Sequence, residues 1–196
     1  ITLGTGSLTS LNNTDTAFSG KITGTGDLIK TGASALTLSG NANSVGATTV
    51  EAGNLHLAQN GTYTTTSLTV NTGATAQLDQ SAQITSVGAA DIEGTLNVAL
   101  GGTTPKITAD SATLGSGSAL EVSGFSPVAA TKASDLNGAR TVVLQTTNGI
   151  TGDFGTVTGV TGSGVDYYFN DAKLSADGKN YSLGSEFHPD RSGRRV

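Results

Sequence analysis

Two series of aliphatic residues advance along this chain in step, and no other feature limits its fold so tightly. Leu38, Leu57, Leu78, Val98 and Val122 follow one another at 19, 21, 20 and 24 residues, and Val50, Val70, Ile92 and Leu114 at 20, 22 and 22. A period of this length marks a stacked repeat. Within each cycle the apolar residues come as alternating triplets (Leu36 and Leu38, Leu55 and Leu57, Leu96 and Val98, Leu120 and Val122), which put two side chains on one face of a strand and the residue between them on the other. Glycine-bearing bends separate the registers: EAGNLHL after Val50, NTGATAQL after Val70, EGTLNV after Ile92 and GSGSALEV after Leu114. Equal cycles of strands and turns predict an all-β chain wound as a parallel β-helix, each coil lying about 4.8 Å along the axis from the last. An antiparallel sandwich also alternates short strands with turns, but it seldom repeats in two registers over five cycles. The residues Leu38, Leu57, Leu78, Val98 and Val122 are the expected core ladder.

Composition narrows the function. Charged residues make up 13% of the chain against about 25% in an average domain. There is no cysteine, so neither a disulfide framework nor a thiolate metal site exists. Residues 1–186 hold seven basic and fourteen acidic side chains, a balance that repels a phosphate backbone, so nucleic acid is not expected as a partner. No run approaches the roughly 18 apolar residues of a membrane helix, and no membrane insertion of this segment is expected. The first residues, ITLGTGSLTS, lack the blocks of a signal peptide, so an exported chain is expected to be a mature fragment.

Catalytic chemistry finds little purchase. His56, the one histidine of the body, lies between Leu55 and Leu57, where alternation points it outward into solvent. No Gly-x-Ser-x-Gly elbow occurs. Asp79, Asp91, Glu93, Asp110 and Glu121 are scattered singly, although Asp91 and Asp110, 19 residues apart, have the spacing to meet across coils as an acid–base pair. The glycine pairs in GTGDL and GSGSAL lack the Lys-Ser/Thr of a phosphate loop, and a calcium-type Gly-x-Gly-Asp occurs once, at Gly24 to Asp27. We therefore expect no enzyme activity, no cofactor and no metal. Regular threonine ladders on flat β-helices bind ice, but positions 37, 56, 77, 97 and 121 read Thr, His, Gln, Asn and Glu, which disfavours it.

Residues 18–58, FSGKITGTGDLIKTGASALTLSGNANSVGATTVEAGNLHLA, resemble the passenger-associated repeat of bacterial autotransporters, in which G-L-x-K-x-G-x-x-x-L-T-L-S-G leads through an Asn-rich turn to T-T-V-x-A-G-x-L. The chain departs from it at Asn43-Ser44-Val45, where a tyrosine usually follows the asparagine. The composition changes toward the C-terminus: of the nine aromatic residues only Phe18 and Tyr63 precede Phe125. The phrases TVVLQTTNGITGDFGTVTG and VDYYFNDAKLSADGKNYSLG resemble the autochaperone segment that closes such passengers.

The resemblance implies a right-handed helix, made of coils over 1–124 and a C-terminal β cap over 125–186. It also implies passage unfolded across the outer membrane of a Gram-negative bacterium, C-terminus first, to display at the cell surface. The implied partners are the protein's own C-terminal membrane barrel, absent from this chain, and another passenger or a host-surface molecule. The implied role is a structural stalk and folding promoter of an adhesin or self-associating protein. The rival is the stalk of an enzyme, protease or esterase, whose catalytic domain lies upstream, or a carbohydrate-active β-helix. Bulky aromatics in the last coils bury more area per residue than the Ala, Val and Leu of the others, so Phe154, Tyr167, Tyr168, Phe169 and Tyr181 are the expected folding seed and cap. The tail 187–196, with Pro189 and Gly193 opposing a helix, is expected to be a remnant of expression and is left out of the functional reading.

Overall fold

Each short apolar triplet becomes a strand that finds its hydrogen-bond partners one coil above and one coil below. The computed structural model describes residues 1–86, 88–101, 104–126, 140–159 and 166–188, with the backbone alone at 125–126, 166–171 and 185–188. Among the described residues every regular element is a strand, and the parallel strands stack as a β-solenoid of about six turns. The parallel register rules out the sandwich, whose strands would pair antiparallel.

The first face is a seven-stranded sheet running from Thr16–Phe18 through Ala35–Leu38, Asn54–Leu57, Thr75–Leu78, Thr95–Gly101 and Ala119–Ser126 to Thr156–Thr158. Along it Leu38, Leu57, Leu78, Val98 and Val122 are register partners in turn, all pointing inward and buried, with Phe18 beside Leu38 at the N-terminal end. The second face stacks Leu8–Ser10, Leu28–Lys30, Ala47–Val50, Ser67–Val70, Ala89–Ile92, Ile107–Leu114 and Arg140–Gly152. Its inner file runs Lys30, Val50, Val70, Ile92, Leu114.

A third face closes the coil. Gly61–Thr65 pairs with Ala82–Ser86, which pairs with the start of Ile107–Leu114, so that Tyr63, Ile84, Ile107 and Leu144 form a third buried file. Earlier coils continue it through the pair Thr2–Leu3 with Thr23–Gly24 and the bridges from Thr23 to Ser44 and from Ser44 to Thr64. With three faces, each coil turns sharply enough that a corner backbone touches the corner before it. Gly53, at φ 68°, is such a point: a β-carbon there would collide with the carbonyl oxygen of Gly32 one coil away.

Parallel stacking runs on past residue 124, through Arg140–Gly152 on the second face and Thr156–Thr158 on the first. Then the direction reverses. Asn180–His188 pairs antiparallel with Arg140–Gly152, and Asp166–Leu174 pairs antiparallel with Asn180–His188. This hairpin covers the edge over Arg140–Gln145, where another parallel coil would pair, while Thr156–Thr158 ends the first face among the described residues.

Candidate functional site

The outer surface of the first face carries the most polar chemistry in one place. Thr37, His56, Gln77, Asn97 and Glu121 are register partners there, because each lies between two inward residues. Side chains bond across coils here: Asn54 Nδ2, in the register of Thr75, donates diagonally to Gln77 Oε1 at 2.7 Å, and within the file Asn97 Nδ2 donates to Glu121 Oε2 at 3.0 Å. His56 points outward, but it is not simply solvated. Its Nε2 lies 2.8 Å from Asp79 Oδ1 and its Nδ1 3.4 Å from Thr37 Oγ1, and its side chain is 22% exposed against 48% for Asp79. A neutral ring satisfies both contacts if Nε2–H donates to the carboxylate and Thr37 donates to Nδ1.

Hydroxyl, imidazole and carboxylate in a row are the parts of a nucleophilic triad. What the row lacks is a place for developing charge. Ala35–Leu38 has a strand on both sides, so its N–H groups are committed to the ladder, or at Ala35 to Asp15 Oδ1, and cannot turn toward an oxyanion beside Thr37. The arrangement orients the carboxylate of Asp79 instead.

Asp79 opens into a cleft of about 400 Å³ lined also by Ala58, Asn60, Gln80, Ser81 and Ala99. Beneath it lies Lys106, 1% exposed, whose Nζ donates to the carbonyls of Asp79 at 2.6 Å and Gln80 at 3.1 Å. Burial lowers its pKa to about 8, with the charge of Asp79 opposing the shift. Lys30 does the same work at another corner: it occupies a core position in file with Val50, is fully buried, and its Nζ donates to Gly32 O and, at 3.2 Å, to Ala52 O. Burial pulls its pKa down too, against the nearby charge of Asp15. A buried ammonium at a corner thus donates to carbonyls that face away from the ladder, Asp79 O accepting from the Ala82 N–H as well.

Asn43 and Gln59 play the neutral version of this part. Asn43 Oδ1 accepts from Ile22 N–H at 2.7 Å, and its Nδ2 donates to Gly40 O and to Gln59 Oε1, each at 2.7 Å. Inside the core, Thr48 Oγ1 bonds Tyr63 Oη at 2.8 Å and donates to Thr65 Oγ1 at 2.9 Å.

The chain matches no family model and no curated protein.

At the C-terminal end the structure brings together two of the expected seed residues. Phe154 and Tyr181 pack edge to face, ring centroids 5.1 Å apart at 80°, and both are buried. Tyr181 Oη donates to Asp153 Oδ1 at 2.7 Å; burial and the adjacent carboxylate push its pKa upward. In register Tyr181 faces Leu144 on the last solenoid strand and Leu174 on the hairpin, so one ring joins coil, closing strand and cap. Tyr167, Tyr168 and Phe169 lie on Asp166–Leu174, and their side chains fall outside the described residues.

One sequence reading needs correction, and one row was missed. Asp91 and Asp110 do not meet: Asp91 stands between Thr69 and Thr113, while the amide of Asp110 bonds Gly88 O at 2.9 Å. The 22-residue coil at this point carries Asp91 past Asp110 to Thr113. A hydroxyl row does exist, but on the third face, where Thr2, Thr23, Ser44, Thr64, Thr85 and Thr108 are successive partners. Repetition of the triplets Lys21-Ile22-Thr23, Thr62-Tyr63-Thr64, Gln83-Ile84-Thr85 and Lys106-Ile107-Thr108 was the signal for it.

Proposed function

We propose that this chain is a structural stalk and folding-promoting segment of an exported, surface-displayed protein of the autotransporter passenger type, with adhesion or self-association as the role of the whole protein. The observation that carries this reading is the reversal of strand direction at the C-terminal end, anchored through Tyr181. A solenoid coil needs a neighbour as template, and contacts are mainly between adjacent coils. The hairpin's antiparallel ladder is local in sequence, and with Tyr181 docked on Leu144 and Phe154 it can form together with the last coil, without a further coil as template. Folding can then propagate coil by coil toward the N-terminus, the direction suited to a chain that emerges C-terminus first. The absence of cysteine suits passage of an unfolded thread.

Self-association has support in the row Thr2, Thr23, Ser44, Thr64, Thr85 and Thr108. It is a surface of hydroxyls without a charge, on a chain whose net charge is −5, so two copies can face each other there without like charges opposed. The resemblance supplies the remaining parts of the reading: a barrel as export partner and a bacterial surface as location.

The test is removal of residues 160–196 and comparison of refolding from urea with the full chain. Loss of the β circular-dichroism signal, or refolding slowed at least tenfold, is expected; an unchanged rate and amplitude would discard the seeding role. Display of the chain on cells through a heterologous barrel then tests association. Clumping that disappears when Thr64 and Thr85 are both changed to Lys is expected, and cells that stay dispersed would remove the self-association reading.

A further inference from the structure

The cleft beside Asp79 lies between the turn at residues 58–60 and the equivalent turn at 79–81 in the next coil, with the small side chains of Ala58 and Ala99 on either side of the carboxylate. We propose that it is a binding site for an uncharged, polyhydroxylated ligand, one sugar unit of a glycan. The reading is independent of the export role.

The chemistry of the lining selects the ligand by elimination. An anion would meet the carboxylate of Asp79, the one charged group that opens into the cleft among the described residues. A metal cation would find a single carboxylate: no group of three His, Cys, Asp or Glu side chains that could hold a metal exists among the described residues, and the ammonium of Lys106 lies directly beneath the turn. An apolar ligand would bury amides, a hydroxyl and a carboxylate without partners. A ligand rich in hydroxyls satisfies all of them.

Of the polar groups in the lining, Gln59 is committed to Asn43 and Gly61 and the others keep bonding capacity. His56 Nε2 takes Asp79 Oδ1 at 2.8 Å and fixes the carboxylate's orientation, while Oδ2 has no protein partner among the described residues. The side chains of Asn60, Gln80 and Ser81 likewise make no hydrogen bond among the described residues. A carboxylate oxygen that accepts, beside amides that both donate and accept, suits adjacent hydroxyls of one ring. Lys106 fixes the backbone at Asp79 and Gln80, so the ordering that binding requires is confined to the side chains of Asn60, Gln80 and Ser81. A volume of about 400 Å³ lies within the range of small-molecule sites.

The experiment is a titration of the isotopically labelled full chain, followed by amide chemical shifts, with glucose, galactose, mannose and N-acetylglucosamine in turn. At least one sugar is expected to give saturable shifts confined to residues 58–60, 79–81 and 99. Asp79→Asn should weaken that binding by about tenfold or more, and Ala99→Leu, which fills the cleft, should abolish it. If Ala99→Leu unfolds, Asn60→Ala, at an exposed turn position, must weaken binding instead. The proposal is overturned if none of the four sugars gives saturable shifts, if the shifts map elsewhere, or if the folded variants bind as the parent does. None of these results bears on refolding or clumping, so this site and the stalk role fail separately.

Discussion

Replacing Tyr181 separates a ring that merely packs from one that starts folding. Tyr181→Ala removes a ring that is 1% exposed, its edge-to-face contact with Phe154 at 5.1 Å and its hydrogen bond to Asp153. Truncation of a buried aromatic costs about 3–5 kcal/mol, within which the ring pair accounts for roughly 0.5–1.5, so a loss near 4 kcal/mol is expected. Tyr181→Phe, which keeps the ring and drops only the bond to exposed Asp153, should cost about 1 kcal/mol. If the cap forms first, roughly 0.7 of the larger loss falls on the folding limb of a stopped-flow chevron, slowing folding about a hundredfold while unfolding changes by less than tenfold. Leu36→Ala, in an early coil, should do the opposite and leave the folding rate within about twofold. Equal loss of stability with an unaltered folding rate for Tyr181→Ala would refute the reasoning, because the ring would then join a structure already built.

Three further outcomes follow from the fold. Leu78→Ala, between Leu57 and Val98 in a file whose strands are pinned on both sides, should cost about 3–4 kcal/mol by urea unfolding, whereas Leu8→Ala in the half-buried first coil should cost less than about 1.5; equal values would contradict the stacking. Lys106 has a folded pKa of about 8, below that of an unfolded lysine, so between pH 8 and 10 the unfolded chain holds more protons and stability should rise with pH by on the order of 1 kcal/mol, a rise that Lys106→Met abolishes in pH-dependent urea titrations. Gly53→Ala should destabilise by about 2 kcal/mol or more, while Gly117→Ala, with open space around it, should stay within about 0.5 kcal/mol in thermal unfolding.

The first two faces were legible because one inner file on each holds Leu, Val or Ile in nearly every coil, so simple alternation plus a shift of one coil finds the next partner. The third face was not read in advance. Its file contains Asn43, Tyr63 and single isoleucines, and a polar residue at an inner position breaks the apolar count even when its bonds are met by Gly40 and Gln59. Lys30 hid for the same reason: subtracting one coil from Val50 lands on it, yet a lysine reads as solvent-facing until its carbonyl partners are known. The cleft depended on diagonal reach, His56 to Asp79 across 23 residues, which same-position registers do not reveal. Tyr181 and Phe154 meet through an antiparallel pairing whose register no periodicity encodes.

Three short faces per turn store a great deal of thread in very little height. About 21 residues drawn out straight measure roughly 70 Å, yet winding them lengthens the rod by only about 4.8 Å. A tether held at one end and wound at the other is therefore reeled in some fourteenfold faster than the spool grows. At typical stabilities of about 0.05–0.15 kcal/mol per residue, every revolution releases on the order of 1–3 kcal/mol. On the proposed export role, such a spool would convert cohesion between neighbouring windings into traction on the length of chain not yet wound.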